Sequence, residues 1–231
     1  MHVKSFLLKE FQGWSKVEIL SLSAVFTVIF LNSVILKDSF VAVISAICGI
    51  LYTILAGKGR VSCYLFGLSG SGCYCWLAFH SALYGNLALY LFYYIPMEII
   101  GIFKWGKNLK KNSNEIVKTK LSNKERIFLF TICALTSLIA IYIIKLTGGS
   151  KPFLDGITTV LSIAGMYLTV KRCIEQWVIW IIVNGLSFLM WANLVIHHGT
   201  KAYSTLIMWA FYFLAAIYFY LKWKKEIYNK I

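Results

Sequence analysis

Three indoles, one amide and one hydroxyl fall on a single stripe of one apolar segment. They belong to Trp177, Trp180, Asn184, Ser187 and Trp191, which at 100° per residue lie within about 80° of one another on a helix. Indoles stack on flat aromatic rings and attract cationic ones, and an amide both donates and accepts hydrogen bonds. The stripe predicts a site for a small aromatic molecule that also carries a ribose or carboxamide. The alternative is that the indoles pack the bundle and that Asn184 joins two helices.

A carboxylate lies in the middle of another apolar segment. Ionisable residues inside a membrane span are costly and usually functional, so Glu98 is a candidate. On a regular helix Tyr90, Tyr94, Met97 and Gly101 share one face, with Glu98 at its edge. Contact with substrate, proton binding and pairing within the bundle all remain open for Glu98. Tyr90, Tyr94 and Glu98 join the predicted substrate-binding residues.

Other motifs that could carry chemistry are incomplete. The six cysteines form no CxxC pair, and the glycine-rich stretch Gly67–Gly72 lacks the Lys-Ser/Thr of a phosphate cradle. His197 and His198 are adjacent and point in different directions on a helix. We find no triad or carboxylate pair typical of an active site. The sequence predicts no enzyme, no catalytic residue, no metal site and no cofactor.

The composition indicates a polytopic all-α membrane protein. Apolar types make up 59% and charged types 14%, against about 45–50% and about 25% in soluble domains. The net charge of +14 could suggest nucleic acid. However, the lysines and arginines lie in short clusters between apolar runs, so no nucleic-acid partner is predicted.

Eight apolar runs are long enough to cross a bilayer, which takes roughly 20 residues. Because lipid satisfies no backbone polar group, each is predicted to be helical. The runs are Val17–Leu36, Ser39–Ala56, Val61–Leu83, Leu87–Trp105, Ile127–Leu146, Phe153–Val170, Trp177–His197 and Tyr203–Trp223.

The charge distribution predicts the orientation. With eight spans, the side that holds both termini receives 19 of the 23 lysines and arginines. The positive-inside rule therefore predicts a multi-pass protein of the cell membrane with both termini cytoplasmic. The basic loop 107–126 is predicted to be a solvated connector near anionic lipid.

Spans two to four resemble spans six to eight. At a constant offset of 113 residues, Tyr64 corresponds to Trp177 and Ser71 to Asn184. A shift of four spans makes this a parallel repeat, with a substrate site expected near the midplane between the copies. The predicted organisation is one leading helix, three helices, one linker helix and three helices (1+3+1+3). Its parts are an amphipathic N-terminus and first helix (1–37), a first bundle (38–106), a loop and linker helix (107–148), and a second bundle with a cytoplasmic tail (149–231).

These residues also resemble a known family. Trp177-x-x-Trp180-x-x-x-Asn184 resembles the W-x-x-W-x-x-x-N signature of PnuC-type vitamin transporters. The stretch from Tyr84-Gly85-Asn86 through Tyr93-Tyr94 to Gly101 and Trp105 is similar to another helix of that family. The resemblance covers roughly residues 38–225 and implies a three-plus-one-plus-three fold similar to that of SWEET sugar transporters.

The resemblance implies facilitated diffusion of a vitamin or nucleoside-like molecule, usually nicotinamide riboside. Uptake would be driven by phosphorylation of the substrate by a cytoplasmic kinase. The motif residues Trp177, Trp180 and Asn184 inherit a binding role. Glu98 departs from the family, in which an uncharged residue such as Gln is expected. A carboxylate suits a cation, and nicotinamide riboside and thiamine both carry a positive aromatic ring.

Four alternatives compete with this function. The chain could carry thiamine or a deoxynucleoside on the same fold, or couple transport to protons through Glu98. An intramembrane enzyme would need convergent acids, bases or metal ligands. A helical scaffold would leave the stripe without a purpose. The bilayer is an expected partner, and a homo-oligomer remains open.

Overall fold

A computed structural model of the 231-residue chain describes residues 14–36, 39–80, 84–111, 113–148, 151–197 and 203–228. We number its helices α1 to α8 in chain order. They are α1 (Lys16–Leu36), α2 (Phe40–Lys58), α3 (Cys63–His80), α4 (Tyr84–Leu89, Tyr90–Tyr94 and Ile95–Gly106), α5 (Asn123–Leu146), α6 (Pro152–Val170), α7 (Glu175–His197) and α8 (Tyr203–Tyr228). Each predicted span corresponds to one of them; the end of the third, at 81–83, lies outside the described residues.

Six of these helices, within the described residues, are long and apolar enough to cross a bilayer. They are α2, α5, α6, α7, α8 and the part of α4 over Asn86–Gly106. The remaining two, α1 and α3, are helical but do not meet that measure. Serines and glycines dilute the apolar run of α3, which also ends at His80. The predicted all-α, 1+3+1+3 membrane fold is confirmed in the described part of the chain.

Local sequence sets the helix ends. The Ser39 side chain accepts a hydrogen bond from the Ala42 N–H at 3.2 Å and begins α2. A reciprocal capping box between Ser122 and Glu125 begins α5. Pro152 occupies the first turn of α6, where its missing N–H costs nothing.

The chain divides into two compact units, Met1–Val117 and Lys118–Ile231. In the first unit α3 packs against α2 and α4, and α1 packs against α2. In the second unit α5 packs on α6, α6 on α7, and α7 on α8. The division falls within the predicted loop-and-linker part, 107–148, so the linker helix α5 belongs to the second unit.

The segment before α5 is mostly exposed or half-buried, as its lysines predict, but two of its apolar residues are buried. In the first unit the Ile116 N–H donates to the Gly59 carbonyl at 2.9 Å. In the second unit the Thr119 N–H donates to the Arg172 carbonyl at 2.9 Å. Ile116 is fully buried and Leu121 nearly so. These two apolar side chains anchor a segment whose charged neighbours suggested free solvation.

Candidate substrate-binding site

The predicted stripe lies along α7 in the second unit and is mostly turned into that unit. Trp177, Asn184 and Ser187 are buried, with 3%, 8% and 8% of their surfaces exposed. Trp180 and Trp191 are half-buried. Three of the five members are therefore shielded by the unit's own helices and are not presented to lipid.

Trp177 is held by two aromatic side chains of α8. Its ring lies 5.4 Å from Phe219, centroid to centroid, and 5.8 Å from Trp223 in an edge-to-face arrangement at 78°. The indole Nε1 is buried and has no hydrogen-bond partner among the described residues. An unpaired buried donor costs about 1–3 kcal/mol. The aromatic packing therefore holds the ring, and its buried Nε1 has no acceptor in the part of the chain that the structure describes.

Trp180 is oriented by α6. Its Nε1 donates a long hydrogen bond, 3.4 Å, to the Thr169 hydroxyl. A Cβ on Gly165 would lie 3.1 Å from two atoms of the Trp180 ring, so the absence of a side chain at Gly165 lets the indole lie against the α6 backbone. The hydrogen bond and the close packing leave the Trp180 ring plane with little freedom.

Asn184 connects α7 to α8. Its Nδ2 donates to the backbone carbonyl of Tyr212 at 3.1 Å. This contact matches the interhelical role that we considered for Asn184 as the alternative to binding. Because the amide has a second N–H and a carbonyl oxygen, one side chain can join the helices and still contact a ligand.

The first unit contains the other predicted residues around Glu98. This carboxylate is 4% exposed, and its Oε1 accepts a hydrogen bond from the Ser71 hydroxyl at 3.0 Å. Its Oε2 is buried without a hydrogen-bond partner in the described residues. A Cβ on Gly67 would lie 2.8 Å from Glu98 Oε1 and 2.9 Å from Tyr52 Cδ2, so α3 needs glycine at this position.

An aromatic wall lies beside this carboxylate. Tyr64 of α3 packs edge-to-face on Trp105 of α4 at 5.1 Å and lies 6.1 Å from Tyr52 of α2. A side chain on Gly101 would overlap the Tyr64 ring. The buried Tyr64 hydroxyl, like Glu98 Oε2, has no hydrogen-bond partner in the described residues.

A π-helical turn at Tyr90–Tyr94 changes the face on which Glu98 lies. The Ile95 N–H bonds to the Tyr90 carbonyl, five residues earlier, next to Pro96, which has no N–H to donate. The extra residue rotates the preceding part of α4 by about one position relative to a regular helix. The turn therefore changes the direction of Tyr90 relative to Glu98, and Glu98 is buried together with Gly101 and Trp105 in the part of α4 that follows it.

The tyrosines of this turn stack on one another. The Tyr90 and Tyr94 rings are 4.8 Å apart, and Tyr90 also lies 4.4 Å from Tyr74 of α3. Tyr74 in turn accepts a hydrogen bond from Asn86 at 3.2 Å. Both predicted tyrosines are half-buried in this cluster.

Sequence reasoning missed several supporting residues. Thr169 orients Trp180, and Ser71 orients Glu98. Gln176 is 1% exposed, and its Nε2 has no hydrogen-bond partner among the described residues. Ser71 could have been found through the offset of 113, which pairs it with Asn184. Thr169 and Gln176 carried no comparable signal.

A chain of mostly apolar spans, with buried polar groups on α4 and α7, is a multi-pass membrane protein, and the comparisons place it in a family of transporters. The profile of the nicotinamide mononucleotide transporter family matches residues 39–225, and the chain belongs to this family, which includes PnuC.

Two named relatives are similar over most of their length. The nicotinamide riboside transporter PnuC of Neisseria mucosa is 33% identical over 225 residues, which cover 94% of this chain and 84% of the relative. The protein of the same name from Haemophilus influenzae is 32% identical over 224 residues and 96% of each chain. The crystal structure of the vitamin B3 transporter PnuC superposes with a TM-score of 0.82 at 28% identity, covering 99% of both chains.

Proposed function

We propose that the chain carries nicotinamide riboside, or a closely similar vitamin, across the cell membrane by facilitated diffusion. Two relatives at 33% and 32% identity bear that substrate in their names. The observation that carries the proposal is the buried Nε1 of Trp177, which has no hydrogen-bond partner in the described residues and belongs to the first position of the W-x-x-W-x-x-x-N motif. A ribose hydroxyl or a carboxamide oxygen would satisfy this donor.

The other motif residues complete a binding site for a cationic ring. Trp180, held by Thr169 and packed on Gly165, offers an indole face on which a pyridinium ring would stack. Asn184 keeps one amide N–H and its carbonyl oxygen for the polar part of the substrate. Ser187 and Trp191 extend the same stripe toward the far end of α7.

Uptake is driven from inside the cell in this proposal. A facilitator only equilibrates its substrate, so accumulation requires that the substrate be removed. Phosphorylation by a cytoplasmic kinase adds about 1.5–2 negative charges. The transporter does not carry the phosphorylated product back out of the cell. The basic termini and the loop 107–126 lie on the kinase side.

Reconstituted liposomes test this mechanism. Vesicles that contain the purified chain should equilibrate labelled nicotinamide riboside without accumulating it. Vesicles that also enclose a riboside kinase and ATP should accumulate label as the phosphorylated product. Accumulation without kinase, under an imposed ion gradient, would contradict facilitated diffusion.

Ligand binding tests the substrate. Thermal unfolding of the detergent-purified chain should shift upward with nicotinamide riboside more than with thiamine, riboflavin or deoxynucleosides. Asn184→Asp keeps the side-chain size but removes both N–H donors, and it should reduce the shift. Asn193→Asp, at an exposed position on the same helix α7, is the matched control. A larger shift with thiamine would mean that thiamine, and not nicotinamide riboside, is the substrate of the proposed site.

Proton coupling through Glu98 is the second candidate. The observation that favours it is the buried Oε2 of this carboxylate, which has no hydrogen-bond partner in the described residues and is available to a proton or a cation. An inward pH gradient should then drive accumulation in liposomes without kinase, and Glu98→Gln should abolish that accumulation. If uptake is insensitive to the gradient, proton coupling is excluded, and Glu98 either contacts the substrate or stabilises the bundle.

A further inference from the structure

A long apolar groove runs beside α5 within the second unit. Its volume is about 790 Å³, and side chains of α5, α6, α7 and α8 line it. The part along α5 extends from Arg126 to Ile141, which at 1.5 Å per residue is about 22 Å. Since one leaflet accounts for roughly half of a 30 Å hydrocarbon core, the groove is long enough for one acyl chain.

The walls of the groove suit hydrocarbon. Phe130, Leu138 and Phe153 line it and are more than 60% exposed. Ala134 lies among them and leaves the groove open in the middle. In a membrane an open apolar groove is filled by lipid tails or by an apolar protein surface, because water would be costly there.

One end of the groove is basic. Arg126, Lys224 and Tyr228 line this end together with Glu175. The segments 118–126 and 222–228 that form it contain seven lysines and arginines against two glutamates. The end therefore carries a clear excess of positive charge.

The acidic groups near this end are already occupied. Glu175 pairs with Arg126 at 2.8 Å and accepts the Leu121 N–H. Glu226 pairs with Lys118 at 2.6 Å, and Glu125 accepts hydrogen bonds from Ser122 in the capping box of α5.

The cations at this end are less completely paired with carboxylates in the described residues. The Lys224 side chain is exposed and lies 6.0 Å from the Tyr220 ring. Within the described residues no carboxylate pairs with it. Lys120 Nζ lies 4.6 Å over the Tyr228 ring. Arg126 keeps 42% of its side chain exposed despite its pairing with Glu175.

We propose that this groove binds one anionic phospholipid, with an acyl chain along α5 and the headgroup phosphate between Lys224, Lys120 and Arg126. Charge complementarity favours an anionic lipid over the other possible occupants. A zwitterionic lipid would fill the same apolar walls but would gain less from three cations, and an apolar face of a second copy would leave those cations without a counterion.

The test compares lipids on the purified full chain. The thermal unfolding midpoint should rise more with phosphatidylglycerol than with phosphatidylcholine at equal concentration. Lys224→Gln should lose at least half of that excess. Lys225→Gln, one position away on the same exposed turn but outside the groove, should keep it. Ala134→Trp, which fills the groove, should reduce stabilisation by both lipids.

Three results would overturn the proposal. An equal preference for phosphatidylglycerol in Lys224→Gln and Lys225→Gln would mean a general charge effect. A shift of the same size with inorganic phosphate would mean an anion site without an acyl chain. Native mass spectrometry could also show that Ala134→Trp changes the number of copies while leaving bound lipid unchanged, in which case the groove is a contact between copies.

Discussion

Gly59 and Arg172, 113 residues apart in the sequence, adopt the same left-handed backbone conformation, with φ of 70° and 64°. Each closes the turn after a helix in the same way. The Arg60 N–H donates to Leu55 at 2.9 Å, and the Cys173 N–H donates to Leu168 at 3.0 Å. The repeat that the sequence predicts at this offset therefore has a counterpart in the local geometry of both units.

The left-handed turn predicts a stability difference. Gly59→Ala should destabilise the first unit by about 1–2 kcal/mol, because a Cβ in this conformation crowds the following carbonyl. Gly106→Ala is the control, since a Cβ there meets open space and its φ is not positive. The thermal unfolding midpoint should fall for Gly59→Ala only. Equal effects of the two changes would mean that the turn is not strained by a side chain.

Trp177→Phe separates binding from packing. Phenylalanine retains a ring against Phe219 and Trp223 but removes Nε1, for which the described part of the chain supplies no acceptor. If this donor contacts the substrate, the affinity for nicotinamide riboside should fall by about fivefold, since one neutral hydrogen bond contributes about 1 kcal/mol. Isothermal titration of the folded variant measures the change.

The control for this variant is Trp76→Phe, which alters an exposed indole of α3. It should leave the affinity unchanged. Trp177→Ala is a poorer choice, because loss of a buried Trp side chain costs about 3–5 kcal/mol and would mix unfolding with lost binding. If Trp177→Phe binds the substrate with wild-type affinity, the indole N–H does not contact the substrate.

Gly67 and Gly72 lie on the same helix and should respond oppositely to alanine. In Gly67→Ala the new methyl group would press on the Glu98 carboxylate and the Tyr52 ring. Such overpacking costs about 1–3 kcal/mol. In Gly72→Ala the methyl group meets nothing within 4 Å, so the better helix propensity should be neutral or stabilise by roughly 0.5–1 kcal/mol. Thermal unfolding of both variants checks the contrast, and a stable Gly67→Ala would mean that Glu98 moves at little cost.

A buried ion pair should make the first unit sensitive to Lys58. Its Nζ lies 2.7 Å from Glu18 Oε2, with 3% and 4% of the two side chains exposed, and 4.8 Å from the Trp14 ring. Lys58→Met would leave the carboxylate buried without that cation, which costs about 3–5 kcal/mol. The double variant Glu18→Gln with Lys58→Met should recover part of this loss.

The matched control for this pair is Lys110→Met. The Lys110–Glu115 pair is 2.8 Å long but considerably more exposed, and exposed pairs contribute about 0–1 kcal/mol. Chemical denaturation of the wild type, Lys58→Met, Glu18→Gln and the double variant measures the coupling, and Lys110→Met is compared with Lys58→Met. If Lys58→Met is no more harmful than Lys110→Met, the burial of the pair does not matter for stability.

Much of the fold followed from patterns that lipid imposes on any sequence. Runs of apolar residues must become helices when no water is present, and the helices occur where those runs lie. The W-x-x-W-x-x-x-N motif predicted the family, which the comparisons confirm. Its periodicity also placed Trp177, Asn184 and Ser187 on one face, and all three are buried.

Tertiary structure decided the partners of those residues. Periodicity could not predict that Thr169 would hold Trp180, or that the Tyr212 carbonyl would accept from Asn184, because both partners lie on other helices. The π-helical turn before Pro96 changed the direction of Tyr90 relative to Glu98, since one added residue rotates the two parts of a helix against each other. For a similar reason, the two buried residues of the connector could not be predicted. Its lysines predict solvent, while the burial of Ile116 and Leu121 depends on turns that other parts of the chain supply. A sequence states which surfaces must avoid water, but only packing between distant segments determines which polar atom meets which partner.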